Sequence, residues 1–213
     1  MSLTSITQIL TGLSLLFSLA AFGWRLNVFT RLVRPIDRAR PKGNPMQGVL
    51  YAYTLGMAPW TKESTRRHWL AYLRGVFFHI GIFLGLGILL ISPWVQLFPQ
   101  FLRLTLGILA GAGALLGLVG FIARFIEHNL HALSTPDDYF AVLIVSLFLI
   151  AASLGLLAPV MLPVFYIISS FMLVYAPFSK IRHCIYYAFS RLFFGRYTGT
   201  RGVLPHSQQL VKS

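Results

Sequence analysis

The chain has 213 residues, of which 56% are hydrophobic and only 11% are charged. A soluble domain carries about 25% charged residues, so this composition excludes the soluble globular class and indicates an integral membrane protein. The net charge of +13 does not indicate nucleic-acid binding, because the basic residues flank apolar segments, where they act as topology signals and contact anionic membrane lipid.

Five apolar segments meet or approach the roughly 20 residues that a membrane-spanning helix needs. They are predicted at about Ile6–Trp24, Leu73–Leu97, Leu102–Ile122, Tyr139–Leu157 and Pro163–His183. Pro159 and Pro163 separate the last two segments, which would otherwise form one overlong run. The sequence therefore predicts an all-α integral membrane protein with five transmembrane helices. The N-terminus lacks a positively charged n-region, so no removable signal peptide is predicted.

The basic residues predict how the helices are oriented. Ten Lys or Arg residues lie between Trp24 and Gly75, six more lie at or beyond the end of the fifth segment, and only Arg103 would fall on the opposite side. The positive-inside rule then places the N-terminus outside and the C-terminus in the cytoplasm, in a multi-pass protein of the inner (cytoplasmic) membrane. The predicted parts are a first transmembrane helix (1–24), a cytoplasmic basic segment (25–72), a four-helix membrane core (73–183) and a cytoplasmic interfacial tail (184–213).

Two predicted cytoplasmic segments offer surface to other molecules. The basic segment is long enough to dock a partner protein. The tail sequence IYYAFSRLFFGRY at 185–197 mixes aromatic residues with arginines, which is typical of a helix that lies along the lipid headgroup layer. A plain basic anchor is the alternative, and both interpretations stay open.

Two histidines are the main candidate ligands. His79 lies five residues after Arg74, which is about 8 Å into its span at 1.5 Å per residue. His183 closes the fifth segment, six residues after Pro177. Ionisable residues in a membrane are costly and are usually functional, and two imidazoles from facing helices at similar depth can hold a low-spin haem iron. The alternative is that each is an interfacial histidine bonded to a carbonyl, and the spacing alone leaves both open.

Residues near the two histidines suit a haem. Gly75, with Gly81, Gly85 and Gly87, provides small faces on the second helix that leave room for a macrocycle. The haem propionates need cations, for which the candidates are Arg74, Lys180 and Arg182.

The other histidines and the single cysteine are weaker candidates. His128 and His131 would contact a quinone headgroup or relay protons, or they lie in a solvated loop, which is the commoner case. His68 would share a helical face with His79 if that helix extends far enough, although a surface role is the simpler interpretation. Because Cys184 is the single cysteine, the sequence excludes a disulfide framework and any iron–sulfur cluster ligated by this chain alone.

Four motifs resemble a known family. They are FHIGI at 78–82, PDDYFAVLIVSLFLIAASLGL at 136–156, PFSKIRH at 177–183 and RYTGTR at 196–201. Together they resemble the gamma subunit of respiratory nitrate reductase and the related membrane cytochromes of heterodisulfide-reductase-like and sulfite-reductase-associated complexes. The resemblance implies a five-span cytochrome b in which His79 and His183 ligate the haem nearest the cytoplasmic partner. The positions that ligate a second, outer haem in the nitrate-reductase members are Leu89 and Phe165 here, so one haem b is expected.

The function implied is electron transfer rather than catalysis by this chain alone. Electrons would pass between a membrane quinone, menaquinone or ubiquinone, and the iron–sulfur centres of a cytoplasmic subunit that is either heterodisulfide-reductase-like or nitrate-reductase-beta-like. One alternative is a haem-free anchor that lines a quinone site. Another is a small transporter, which the near absence of polar residues at the middle of the spans argues against.

Overall fold

The structure is a computed structural model that describes residues 2–32, 39–61 and 63–204, without the side chain of Ser64. Residues 33–38 and Lys62 of the predicted basic segment, and the predicted tail from residue 205 onward, lie outside the described residues. All regular structure in the described part is helical. The helices are α1 (Leu3–Thr30), α2 (Pro45–Tyr53), α3 (Glu63–Arg67), α4 (Trp69–Ile91), α5 (Gln100–Ile126), α6 (His128–Leu133), α7 (Pro136–Leu157), α8 (Leu162–Tyr175) and α9 (His183–Arg201).

Five helical segments are long and apolar enough to cross a membrane, which indicates a multi-pass membrane protein. They are Leu3–Thr30, Trp69–Leu97, Gln100–Ile126, Pro136–Leu157 and Pro159–Phe178. The prediction of five spans in an all-α protein is confirmed. The helices extend beyond the predicted apolar runs at most ends, because a helix continues into polar sequence until its backbone groups find other partners.

The fifth span was wrongly predicted to run as one helix to His183. The α-helix ends at Tyr175, and short 3₁₀ turns at Ala176–Phe178 and Lys180–Arg182 follow on either side of an extended Ser179. The physical reason is Pro177, which has no N–H to donate and whose ring clashes with the carbonyl four residues before it. His183 is therefore the first residue of a separate helix, α9, and its depth in the membrane cannot be counted along α8.

The chain forms two compact units. The core unit comprises Met1–Trp24 and Leu70–Arg182, and the α2–α9 unit comprises Arg25–Trp69 and His183–Ser213. The core unit holds most of α1 and α4 together with α5–α8. Its apolar core includes Leu89, Ala114, Phe148 and Phe165, contributed by α4, α5, α7 and α8.

Glycines on α5 let the helices of the core unit approach closely. A Cβ added at Gly113 would lie 3.0 Å from the Cα of Gly81 on α4, and one at Gly117 would lie 2.5 Å from the Phe78 ring. Added at Gly107, it would meet Leu157 of α7 at 3.2 Å. These small residues therefore allow close packing of α5 against α4 and α7.

Hydroxyl side chains hold α1 against α8 within the core unit. The Thr11 hydroxyl donates to the carbonyl of Tyr166 at 2.9 Å and lies 3.0 Å from the Ser170 hydroxyl. Thr7, Ser14 and Ser18 are also buried on this face of α1. The opposite face of α1 exposes leucines, as a lipid-facing surface does.

In the α2–α9 unit, α2 and α9 cross with their backbones nearly touching. A Cβ at Gly48 would lie 2.6 Å from the Cα of Gly199, and one at Gly195 would lie 2.6 Å from the Cα of Val49. Lys42 N and Gly43 N donate to the carbonyl of Thr200 at 2.8 and 3.1 Å, and the Tyr53 hydroxyl donates to the carbonyl of Ala188. The segment 185–197, for which an interfacial helix and a plain basic anchor were both left open, is helical and belongs to a helix that runs over His183–Arg201 and that Gly202, with φ +65°, ends.

Candidate functional site

His79 lies on α4 one turn after Gly75, and its Nδ1 atom is 2.7 Å from the Gly75 carbonyl oxygen. A carbonyl oxygen only accepts, so this hydrogen bond needs the proton on Nδ1 and places the lone pair of the ring on Nε2. Metal-ligating histidines usually donate their other ring N–H in this way, which fixes tautomer and ring orientation. The residue is exposed on α4. An interfacial histidine without a ligand would make the same bond, so both sequence interpretations fit this geometry.

The surface of α4 beside His79 is open at Gly75. A Cβ added at Gly75 would meet no atom within 4 Å, and the same is true of Gly87. A Cβ at Gly81 would approach the backbone of α5 to 2.9 Å, and one at Gly85 would approach the Phe148 ring of α7 to 2.7 Å. Among the four glycines predicted to make room for a macrocycle, Gly81 and Gly85 instead lie at helix contacts, and Gly75 and Gly87 face open space.

Arg74, the predicted propionate contact before Gly75, lies along the neighbouring helix. Its Nε atom is 3.7 Å from the position that a Cβ would take at Gly120 of α5. A methyl group added at Gly120 would be in ordinary van der Waals contact with the Arg74 side chain. Arg74 places a permanent positive charge one turn before His79 on α4.

The second predicted ligand, His183, belongs to the α2–α9 unit and begins α9. It is exposed. Arg182, the residue before it, is the exposed last residue of the 3₁₀ turn that closes the core unit. His183 thus lies in the first turn of α9. It directly follows the 3₁₀ turn Lys180–Arg182, which belongs to the core unit.

That turn is held by a polar cluster that the sequence analysis missed. The Lys180 ammonium donates to Asp138 Oδ2 at 2.7 Å, and the Lys180 backbone N donates to Asp137 Oδ2 at 2.8 Å. The Tyr175 hydroxyl donates to Asp137 Oδ1. Asp138 also accepts from the backbone N and the hydroxyl of Thr135, at 2.9 and 2.8 Å. The start of α7 is thereby tied to the end of α8.

This cluster changes how Lys180 is understood. It was predicted to contact a haem propionate, whereas the structure pairs it with Asp138, a side chain that is only 6% exposed. The signal in the sequence was the adjacent pair Asp137–Asp138 at the start of one span and a lysine just after the next. Because 42 residues separate Asp138 and Lys180, spacing gave no reason to pair them.

The positions that would ligate an outer haem lie in the apolar core. Leu89 is 7% exposed and Phe165 is 1% exposed. The Phe165 ring packs against that of Phe148, with 5.7 Å between centroids. Side chains of α4, α7 and α8 occupy the volume around these two positions.

One histidine of the α5–α7 connection, His131, makes a local contact. His131 Nδ1 lies 3.0 Å from the Tyr139 hydroxyl, which donates to the carbonyl of Arg124 at 3.0 Å. Arg124 in turn donates to the Ser134 hydroxyl at 2.9 Å. These hydrogen bonds stabilise the fold of the connection. His128 and His131 are exposed, and their contact with a quinone stays a prediction. His68 lies between α3 and α4, so no continuous helix joins it to His79.

Within the described ranges 2–32, 39–61 and 63–204, no three His, Cys, Asp or Glu side chains are grouped so that they alone would hold a metal ion. Comparison with known proteins gives no match to a family model, to a curated protein or to a solved structure.

Proposed function

We propose that this protein is a haem b membrane subunit of a respiratory redox complex. It passes electrons between a membrane quinone and the iron–sulfur centres of a cytoplasmic partner subunit. The observation that carries the proposal is the Nδ1–H···O=C bond from His79 to Gly75, which is the bond that metal-ligating histidines usually make and which makes Nε2 the nitrogen that would ligate iron. Gly75 itself faces open space. The motifs around His79 and His183 that resemble membrane cytochromes b add support.

Each proposed residue has a distinct task. His79 and His183 supply the axial nitrogens, Gly75 leaves space for the macrocycle edge, and Arg74 and Arg182 offset the propionate charges. Lys180 contributes less to the propionates, since Asp138 already neutralises it. When bound, the haem supplies the one-electron redox couple, and the protein sets its position and its electrostatic environment.

One haem, rather than two, is part of the proposal. Leu89 and Phe165 have no atom that ligates iron. Their burial against Phe148 also supports this, because an outer haem would have to displace a packed aromatic core. Electrons would then enter or leave the quinone without an outer haem as an intermediate.

The orientation and partners follow from the charge pattern. With the N-terminus outside and the C-terminus in the cytoplasm of the inner membrane, thirteen of the eighteen Lys and Arg residues lie in the sequence of the cytoplasmic α2–α9 unit. This is the side on which a heterodisulfide-reductase-like or nitrate-reductase-beta-like iron–sulfur subunit would dock. Menaquinone or ubiquinone would be the membrane substrate.

A haem-free anchor is the second candidate function. The favouring observation is that the carbonyl of Gly75 satisfies His79 without a ligand. In this case the protein would tether a redox partner and line a quinone site.

A spectrum of the purified protein separates the two candidates. We expect a reduced-minus-oxidised b-type band with one haem per chain, and loss of haem in His79→Ala and in His183→Ala. His131→Ala is the matched control, since this exposed histidine also makes a hydrogen bond through Nδ1, and it should keep the haem. Full haem content in either ligand variant, or a blank spectrum of the wild-type protein after expression with ample haem, would contradict the proposal.

A further inference from the structure

Helix α9 carries tyrosine, phenylalanine and arginine side chains on one face. At about 100° per residue, a stripe of α9 residues falls within one third of the helix circumference. This α9 stripe consists of Tyr187, Arg191, Phe194, Tyr197 and Arg201. The guanidinium groups of Arg191 and Arg201 lie 5.4 Å from the ring centroids of Tyr187 and Tyr197, so each cation extends along an aromatic ring.

The glycines of α9 point to a different side of the helix. Gly195 and Gly199 are buried against α2, and their face is about 120° from the α9 stripe at the same angular increment. The α9 stripe is therefore not used for the contact with α2. Phe194, at its centre, is 59% exposed.

Helix α2 has the same division. Gly48 and Ala52 are buried, whereas a second stripe lies on the opposite side with spacing i, i+4, i+7. This α2 stripe consists of Met46, Leu50 and Tyr53. Met46 is 70% exposed and Leu50 is 65% exposed, which is unusual for large apolar side chains in a helix pair that water surrounds.

The charge of the unit selects among possible partners. Its sequence, residues 25–69 and 183–213, has thirteen Lys or Arg residues and two acids, Asp37 and Glu63. A helix with aromatic and aliphatic side chains beside arginines is the composition that inserts at the boundary between anionic headgroups and acyl chains. On such a surface the arginine stems and tyrosine rings would lie in the apolar layer, and the guanidinium groups would reach the phosphates.

The chain also keeps this unit near the bilayer. Four residues lie between Phe178, the last residue of the fifth candidate span, and His183, and the five steps of an extended chain cover at most about 18 Å. The first candidate span continues to Thr30 inside the unit, and the second begins at Trp69. Three spans are thus joined to the α2–α9 unit with short connections.

We propose that the α2–α9 unit is an interfacial element whose α9 stripe and α2 stripe bind the anionic phospholipid surface of the membrane. The glycine contact holds the two helices as one body, and within the α2 stripe the Tyr53 hydroxyl reaches α9, where it donates to the carbonyl of Ala188. This role does not depend on whether the protein binds haem.

The test uses the full-length protein with Cys184, its single cysteine, replaced in Cys184→Ser. One cysteine is then introduced at Leu50 or Phe194 and labelled with a fluorophore sensitive to polarity. Gln47 and Arg196 are the matched positions, since both are exposed and lie on other faces of the same helices. The protein is reconstituted in phosphatidylcholine alone or with phosphatidylglycerol, and lipid-borne nitroxide and aqueous iodide are compared as quenchers.

We expect the labels at Leu50 and Phe194 to be quenched by nitroxide lipid and to shift to shorter emission wavelengths when phosphatidylglycerol is present. The labels at Gln47 and Arg196 should be quenched mainly by iodide. Arg191→Gln with Arg201→Gln should remove the response of the Phe194 label to phosphatidylglycerol. Labels at Leu50 or Phe194 that respond only to iodide overturn the proposal. Protection that grows with protein density and not with anionic lipid also overturns it, and would indicate a second copy of the chain.

Discussion

Replacing Gly48 with alanine tests how closely α2 and α9 cross. The new Cβ would lie 2.5 Å from the backbone N and 2.6 Å from the Cα of Gly199. Carbon atoms in contact prefer about 3.5–4.0 Å, so α2 must move away by about 1 Å. Backbone atoms of a helix cannot turn aside as a flexible side chain would, and the movement also loosens the contact of Gly195 with Val49.

The magnitude follows from two opposing effects. Overpacking of this kind costs about 1–3 kcal/mol. Alanine within a helix is more favourable than glycine by about 0.5–1 kcal/mol, which offsets part of that cost. The expected net loss is about 1–2 kcal/mol in the stability of the helix pair, or roughly a 5- to 30-fold rise in the population of its open state.

Hydrogen–deuterium exchange of the peptide that contains α2 measures that population directly. Exchange over Pro45–Tyr53 should accelerate by the same factor in Gly48→Ala. Gln47→Ala is the matched control, because Gln47 is exposed on the same helix, and exchange should stay close to that of the wild-type protein. Unchanged or slower exchange in Gly48→Ala would refute the close crossing of α2 and α9.

Two further substitutions test the core unit by thermal unfolding in detergent. Phe165→Ala removes a side chain whose residue is 1% exposed and should lower the free energy of unfolding by about 3–5 kcal/mol. Phe171→Ala, at a residue of the same helix that is 68% exposed, should change the stability little. Equal effects would mean that Phe165 is not in a packed core. Asp138→Asn removes the negative charge that pairs with Lys180. It should lower the free energy of unfolding by about 1.5–3 kcal/mol, since hydrogen bonds to charged groups are stronger than those between neutral groups. Glu63→Gln, which removes the exposed pair with Arg67, should cost less than about 0.5 kcal/mol, so a larger loss there than in Asp138→Asn would argue against the cluster around Asp138.

The spans were predictable because hydrocarbon imposes a length and a composition that the sequence shows directly. The error at the fifth span came from a competing local rule. Pro177 ends the α-helix, whereas the prediction carried the apolar run before it through this proline to His183.

Contacts between distant segments were not predictable. Gly48 and Gly199 meet, yet 151 residues separate their numbers in the sequence, and a glycine does not indicate which helix it will face. Lys180 and Asp138 pose the same problem. They are 42 residues apart, and the sequence does not indicate with which acidic residue a lysine will pair. For the candidate site, the sequence placed His79 and Gly75 on one helix face, but only the structure gave the hydrogen bond that selects the Nδ1–H tautomer.

The contact between Thr11 and Tyr166 affects the order in which the protein is built. Their positions are 155 residues apart, and synthesis at about 5–20 residues per second separates their emergence from the ribosome by roughly 10–30 s. During that interval the Thr11 hydroxyl has neither the Tyr166 carbonyl nor the Ser170 hydroxyl that it contacts in the folded protein. Helix α1 is thus made well before α8, against which it docks, and any insertion factor that assists this protein must hold α1 until α8 arrives.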